Sequence, residues 1–307
     1  MSRIKAILAV TALASLGAAA LPRTGSVAAT QQTTIRTEVA LVNVIFSAIG
    51  RNGKAVSGLK SEDFLITEDN KPQTIDYFND WTKESELPLT IALLIDTSGS
   101  VKSKLEYEKQ TAAEFLKSAL RPNQDLALII QFDSDVNLVQ DFTDDPDRLV
   151  SALDTLRAGN NTALYDAVYL AVDEKLRHET GRKVMVIITD GTDTVSKIKE
   201  KEAIETAQRH DVLIYGIGVR GDVPVSFNVL EKFAKDTGGN FFSPGFRLKE
   251  IAEAFDSIRE ELRGQYSLAY RSTNPKRDGA FRRISLRCKV PGITIRARRG
   301  YYAPLGR

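Results

Sequence analysis

The stretch Leu89-Thr90-Ile91-Ala92-Leu93-Leu94-Ile95-Asp96-Thr97-Ser98-Gly99-Ser100 decides the fold. Its first seven residues are nearly all apolar. A strand that is apolar at consecutive positions is covered on both faces, as in a parallel sheet flanked by helices. The strand ends in a carboxylate, and Asp96, Ser98 and Ser100 then place oxygen-bearing side chains at alternate positions before a helix begins. Alternate positions in an extended turn can point the same way, so the three converge. In an open α/β sheet that point lies at the carboxyl edge of the strands, where such folds bind ligands.

Outward from this stretch the same grammar continues. Helical patterns over Lys104–Leu120, Asp145–Arg157, Ala163–His178, Lys199–His210, Ser226–Asp236 and Leu248–Leu262 alternate with apolar runs. Those runs are Asp125–Phe132, Val184–Thr189, Val212–Val219 and the short Phe241-Phe242. Asp145-Pro146 gives a helix start, and Gly238-Gly239 a helix stop. The alternation predicts a doubly wound, Rossmann-like α/β domain over residues 87–263. Two of its loops should reach the edge that carries Asp96: Gly159-Asn160-Asn161-Thr162, and the end of the strand Ile187-Ile188-Thr189-Asp190-Gly191.

Both flanks change to a two-residue period. Upstream, Val42, Val44, Phe46 and Ala48 alternate with Asn43, Ile45 and Ser47, ahead of an Asn52-Gly53 turn. A hairpin is predicted from Phe64–Thr67, through Glu68-Asp69-Asn70-Lys71, into Thr74–Phe78. Downstream, Tyr266–Tyr270, Ile284–Val290 and Ile293–Ala297 alternate, with Asp278-Gly279 and Pro291-Gly292 as turns. Neither flank has enough strands to bury a sheet alone. Residues 31–86 and 264–307 are therefore expected to pair into one small β-sandwich, with the α/β domain inserted between them.

The amino terminus reads as a targeting segment. Arg3 and Lys5 precede the small, apolar run Ala6–Leu21, and Ala18-Ala19-Ala20 and Ser26-Val27-Ala28 offer cleavage sites. This predicts a signal peptide over residues 1–28 and a periplasmic or secreted mature chain with no transmembrane segment. The rival, an uncleaved anchor, is disfavoured because the run is shorter than the ~20 residues a spanning helix needs. Cys288 is the only cysteine, which excludes an intramolecular disulfide. Its alternation with Ile284, Leu286 and Val290 makes it a strand thiol packed in a core.

The 42 Lys and Arg nearly balance the 40 Asp and Glu, so the chain as a whole makes no electrostatic case for nucleic acid. Basic residues crowd the downstream flank, through Arg271, Arg282, Arg287, Arg296 and Arg299. They suit a solvated sheet face, or a docking surface for an acidic partner or an anionic membrane.

Enzyme chemistry finds little support. Ser98 lies in no Gly-x-Ser-x-Gly elbow, and the only histidines, His178 and His210, fall at helix ends. A phosphoryl-accepting Asp96 would want a second carboxylate where Ser98 stands. Walker loops and His/Cys clusters are missing from the sequence.

With these residues in hand, the chain resembles the von Willebrand factor type A (VWA) family over roughly Leu87–Arg263. Asp96-Thr97-Ser98-Gly99-Ser100 looks like its Asp-x-Ser-x-Ser motif. Thr162 falls where the family places its threonine ligand, and Asp190 where it places its distal aspartate. The flanks are similar to those of bacterial secreted members through Gly58–Phe64 and Arg299–Pro304. The resemblance implies a metal-ion-dependent adhesion site (MIDAS) at Asp96, Ser98, Ser100, Thr162 and Asp190.

Hydroxyls and carboxylates are hard donors, suited to Mg²⁺, with Mn²⁺ or Ca²⁺ as alternatives, and poorly suited to Zn²⁺ or copper. Only two aspartates offset the ion's charge, which leaves it electrophilic. In the family a partner's Asp or Glu carboxylate fills the open position. Asp and Ser also cap loops and helices; five matched positions on three loops favour metal. The expectation is thus a non-enzymatic, exported binding protein for adhesion, or for assembly of a surface or periplasmic complex. Its alternative is a scaffold in which the metal only clamps loops, with partners docking on the basic flank around Arg287 and Arg296. Asp133, Asp135 and Asp193 are further acids near the edge, better explained as turn residues than as a second cation site.

Overall fold

The computed structural model describes residues 41–82, 87–219, 226–243 and 249–306. The predicted signal segment lies outside them.

The chain opens with β1 (Leu41–Ile49), β2 (Phe64–Glu68), β3 (Lys71–Pro72) and β4 (Ile75–Asp80). The α/β portion follows: β5 (Leu89–Asp96), α1 (Leu105–Ala119), β6 (Leu126–Phe132), β7 (Val136–Thr143), α2 (Pro146–Thr155) and α3 (Leu164–Leu170). It continues through β8 (Arg182–Thr189), α4 (Glu200–Arg209), β9 (Val212–Gly218), α5 (Asn228–Thr237), β10 (Phe241–Phe242) and α6 (Lys249–Arg263). The last strands are β11 (Gln265–Arg271), β12 (Phe281–Cys288), β13 (Thr294–Ala297) and β14 (Gly300–Tyr302).

The central sheet has six strands in the order β10-β9-β8-β5-β6-β7. All its pairings are parallel except the antiparallel β6–β7 pair. Every residue of β5 is buried, as the nearly continuous apolar run requires. Ile91, Leu93 and Ile95 face a layer that includes α1, α2 and α6, whereas Ala92 and Leu94 face α3, α4 and α5. The helix ends follow local chemistry. Asp145 caps α2 by accepting from the backbone N–H groups of Asp147 and Arg148, with Pro146 in the first turn. Gly238 ends α5 at φ 93°, and a Cβ there would stand 2.5 Å from the Arg298 nitrogen. Only glycine meets both demands.

The flanks pair with each other across the α/β portion. One four-stranded sheet runs β13-β1-β11-β4 and the other β14-β12-β2-β3. Their shared core joins Val44, Phe46, Tyr266 and Leu268 of the first sheet to Phe64, Ile66 and Ile284 of the second. Phe46 meets Phe64 edge-on at 5.0 Å between ring centroids, a favoured aromatic geometry across the two sheets. Cys288 is half-buried against this core.

Two expectations change. The predicted hairpin turns at Asp69-Asn70, both at positive φ, but its returning strand is only the two-residue β3, and β2 pairs on its other side with β12. The segment expected to complete the hairpin crosses instead to the other sheet, as β4 beside β11. The edge strand β7 carries no local signal in the apolar pattern: most of its residues are partly exposed, and it borrows its order from β6.

The downstream basic residues are largely committed. Arg271 pairs with Asp76, Arg296 with Glu261, Arg298 with Asp211 and Arg299 with Asp236. Arg282 is buried against Glu68, while Arg287 stays exposed.

Candidate functional site

From β5 the chain leaves toward β6 on one side and later toward β8 on the other, so β5 and β8 flank the point where the winding reverses. In doubly wound sheets it is at such a point, outside the carboxyl ends of the strands, that ligands bind. Asp96 ends β5, and Asp190 directly follows β8. Parallel register, with Ile95 opposite Ile188, brings the two ends level.

Four of the five predicted residues are joined by one hydrogen-bonded chain. Asp96 Oδ1 accepts from the Ser98 backbone N–H at 2.8 Å, which closes the turn after β5. Ser98 Oγ lies 3.0 Å from Ser100 Oγ, and Ser100 Oγ donates to Asp190 Oδ2 at 2.5 Å. Asp190 Oδ1 accepts from the Thr192 N–H at 3.0 Å. The fifth residue arrives on its own loop. Gly159 N–H donates to the Thr97 carbonyl at 2.6 Å, and Gly99 N–H to the Asn160 carbonyl at 3.1 Å, tying the Gly159–Thr162 loop to the Asp96–Ser100 turn. Thr162 is held from the other side by Thr194, whose Oγ1 accepts from the Thr162 N–H at 2.9 Å. Its side chain is buried, as are Asp96, Ser98 and Asp190. Around them Gly99, Asn160, Asn161 and Thr192 are exposed, so the cluster sits beneath an open rim.

Two residues outside the predicted set belong to the same neighbourhood. Thr189 Oγ1 donates to Asp96 Oδ2 at 2.6 Å and accepts from the Gly191 N–H, so it orients the innermost carboxylate. Glu108, on α1, is fully buried, and neither of its carboxylate oxygens has a hydrogen-bond partner. Its signal in the sequence was an acid on the buried stripe of a helix, between Leu105 and Ala112. Asp133 and Asp193, by contrast, serve turns. Asp133 Oδ1 accepts from the Asp135 N–H at 3.0 Å, and Asp193 Oδ1 from Ser196 Oγ at 2.6 Å. His178 and His210 sit at helix ends, where the sequence put them.

Electrostatically the cluster is a concentration of negative charge withdrawn from water. Burial, opposed by the hydrogen bonds from Thr189 and Ser98, pushes Asp96 from its ordinary 3.8 up to about 6, and Asp190 adds to the shift. Burial likewise pushes Glu108 from 4.5 up to about 8, with Asp96 and Asp190 reinforcing and Lys104 opposing. Both groups favour the protonated form in the fold. Their contribution to stability is full below about pH 4 and is lost as pH rises through about 6 and then about 8. Glu261, also raised by burial, acts in the same sense, and His210, lowered by burial, opposes the fall in part, while Asp125 and Asp141, held low, stay constant over this window. In chelator, the unfolding midpoint is therefore expected to fall between about pH 5 and about pH 8, and saturating divalent metal to remove most of that fall. Scanning calorimetry across the window checks this, and a midpoint that rises in chelator contradicts it.

The donor set fits a hard divalent cation: two carboxylates and three hydroxyls, oxygen throughout. Among the described residues, no group of three or more His, Cys, Asp or Glu side chains forms an alternative cage.

Comparisons with known proteins agree with this architecture. The family model of the von Willebrand factor type A domain matches residues 90–254. An uncharacterized protein of Borreliella burgdorferi is 25% identical over 195 residues, covering 58% of this chain and 56% of its own length. The chain thus spans about half of that relative. Proximal thread matrix protein 1 from the mussel byssus, in a form with a zinc-occupied MIDAS motif, aligns with a TM-score of 0.51 at 16% identity. That alignment covers 61% of this chain and 48% of the byssus protein. An aerotolerance-related membrane protein from Bacteroides fragilis gives a TM-score of 0.48 at 18% identity, over 57% of this chain and 98% of its own.

Proposed function

Because the chain belongs to the von Willebrand factor type A domain family, we propose that it is an exported, non-enzymatic binding protein that captures an acidic side chain of a protein partner through a divalent ion. The observation that carries this reading is the hydrogen-bonded chain Asp96–Ser98–Ser100–Asp190 at the reversal point of the sheet, beneath an exposed rim. Asp96, Ser98, Ser100, Thr162 and Asp190 would hold the ion, which is Mg²⁺ in this reading, with Mn²⁺ or Ca²⁺ able to replace it. When bound, the ion supplies a Lewis-acidic position for a carboxylate from outside. The chain's own part is to fix the donors, exclude water from their inner side and leave the outer side open. Neutral Ser and Thr donors suit that task, since a fully neutralised ion would attract a partner carboxylate weakly.

In the same reading, residues 1–28 direct export, 31–86 and 264–307 form one sandwich, and 87–263 form the inserted binding domain. Among the described residues no helix is long and apolar enough to cross a membrane. The scaffold alternative, with partners on the basic flank, draws less support, because Arg271, Arg296, Arg298 and Arg299 are taken up in ion pairs.

The test immobilises the purified chain and presents extracellular proteins of the source cells in Mg²⁺ and in chelator, beside Asp96→Ala. A partner held in Mg²⁺, released by chelator and not retained by Asp96→Ala is the expected result. Equal capture in chelator would sink metal-dependent recognition, and turnover on an ester or phosphoester panel would sink the non-enzymatic assignment.

A further inference from the structure

Glu108 lies outside the donor set above and has no evident structural use. It occupies the buried stripe of α1 between Leu105 and Ala112, at 0% exposure, and neither oxygen finds a donor. An unpartnered buried carboxylate is unfavourable by several kcal/mol in general, and a methionine or leucine of similar volume would serve the helix better. Its surroundings give it a second reading. The charged groups acting on it are Asp96, Lys104 and Asp190: the two acids of the candidate metal site, and a half-buried lysine one turn back on its own segment. Glu108 lies in the first turn of α1, the helix that leaves the Asp96–Ser100 turn, and a third buried carboxylate near those two acids is unfavourable unless a cation belongs with them.

We propose that Glu108 is a positioning residue of the metal site, an inner carboxylate that accepts hydrogen bonds from the hydrated ion and supplies the negative charge that two aspartates leave short. This deepens the metal-site reading and rests on it. The two features fit together. Three of the five candidate ligands are neutral hydroxyls, which would leave the ion hungry for a partner's carboxylate. Charge on Glu108, outside that set, would strengthen retention of the ion without occupying the open position. Partners that support a ligand from behind typically change metal affinity by about 10- to 100-fold when removed.

The experiment measures Mg²⁺ affinity by calorimetry, and unfolding in chelator, for wild type, Glu108→Gln and Glu108→Met. The expected result is a split in sign. Mg²⁺ affinity falls by at least about tenfold in both variants, while the unfolding midpoint in chelator is unchanged or higher. A residue with only a structural role would lower the chelator midpoint and leave affinity alone, and that outcome overturns the proposal. If one variant does not fold, the other carries the comparison. Mg²⁺ affinity equal to wild type in a folded variant overturns the role of Glu108 and leaves the metal site standing. Absence of Mg²⁺ binding by folded wild type overturns both.

Discussion

Replacing Asp190 by asparagine is expected to weaken Mg²⁺ binding by roughly a hundredfold or more, while leaving the metal-free fold as stable as wild type or slightly more so. The substitution is nearly isosteric. The amide oxygen can still accept from the Thr192 N–H, which Asp190 Oδ1 now does at 3.0 Å, and the other end can still meet Ser100 Oγ, at present 2.5 Å away. What disappears is one of two negative charges, and a neutral oxygen is a far poorer ligand for Mg²⁺. Losing that charge also relieves its repulsion of Asp96 and Glu108, both of which are raised in part by Asp190. Asp96→Ala should behave differently. Asp96 accepts from Thr189 Oγ1 at 2.6 Å and from the Ser98 N–H at 2.8 Å, so its removal strands two buried donors. Such donors are worth about 1–3 kcal/mol each, so this variant should lose both metal and stability. Calorimetric titration with Mg²⁺, Mn²⁺, Ca²⁺ and Zn²⁺, paired with urea unfolding in chelator, separates the two. Zinc is the contrast in the panel, since a set of hydroxyls and carboxylates suits it poorly. Tight Mg²⁺ binding by Asp190→Asn would remove Asp190 from the site.

Much of this was written locally in the chain. The central sheet declared itself because parallel strands are buried on both faces, so Leu89–Ile95 and Val184–Thr189 read as nearly continuous apolar runs. The candidate donors Asp96, Ser98, Ser100 and Asp190 stood out because they sit at the ends of such strands, whereas Thr162 lies on the loop that leads into α3. What stayed hidden was information held between elements. β7 is ordered by antiparallel hydrogen bonds to β6, with a mixed face that resembles a polar loop. The departure of β4 from its hairpin depends on β11, nearly two hundred residues downstream. Glu108 looked like any acid on an amphipathic helix, because a sequence does not say which acid on a helix faces inward. The Arg299–Pro304 stretch stood out as a motif, but its purpose appears only where Tyr301 meets Glu68 within the second sheet of the sandwich.

That meeting sets the second large effect. Glu68, at the end of β2, is buried, and its oxygens accept from Tyr270 on β11 at 2.8 Å, Tyr301 on β14 at 2.9 Å and Ser272 at 2.5 Å. The Arg282 guanidinium on β12 stands 3.5 Å away, also buried, and spends further N–H groups on the Asn274 and Lys276 carbonyls. One carboxylate thus gathers donors from both sheets of the sandwich. Glu68→Ala is expected to destabilise the protein by about 3–5 kcal/mol, because it leaves a buried guanidinium without its counter-charge and two tyrosine hydroxyls without an acceptor. Glu68→Gln keeps an acceptor and should lose less. The double variant Glu68→Leu with Arg282→Met should recover the part due to the stranded guanidinium, since a buried ion pair replaced by apolar groups of similar volume is often neutral or better, while the tyrosine hydroxyls stay without their acceptor. Urea unfolding followed by the fluorescence of Trp81, the only tryptophan, reads all three. A loss below about 1 kcal/mol for Glu68→Ala would mean that water or a shifted side chain satisfies Arg282. Mg²⁺ affinity is expected to stay at the wild-type value in each variant, because the network touches neither β5 nor β8. A fall in affinity there would instead mean that the sandwich and the metal-binding edge are energetically coupled, and α6, whose Glu261 pairs with Arg296 of β13, is the element that would carry the coupling.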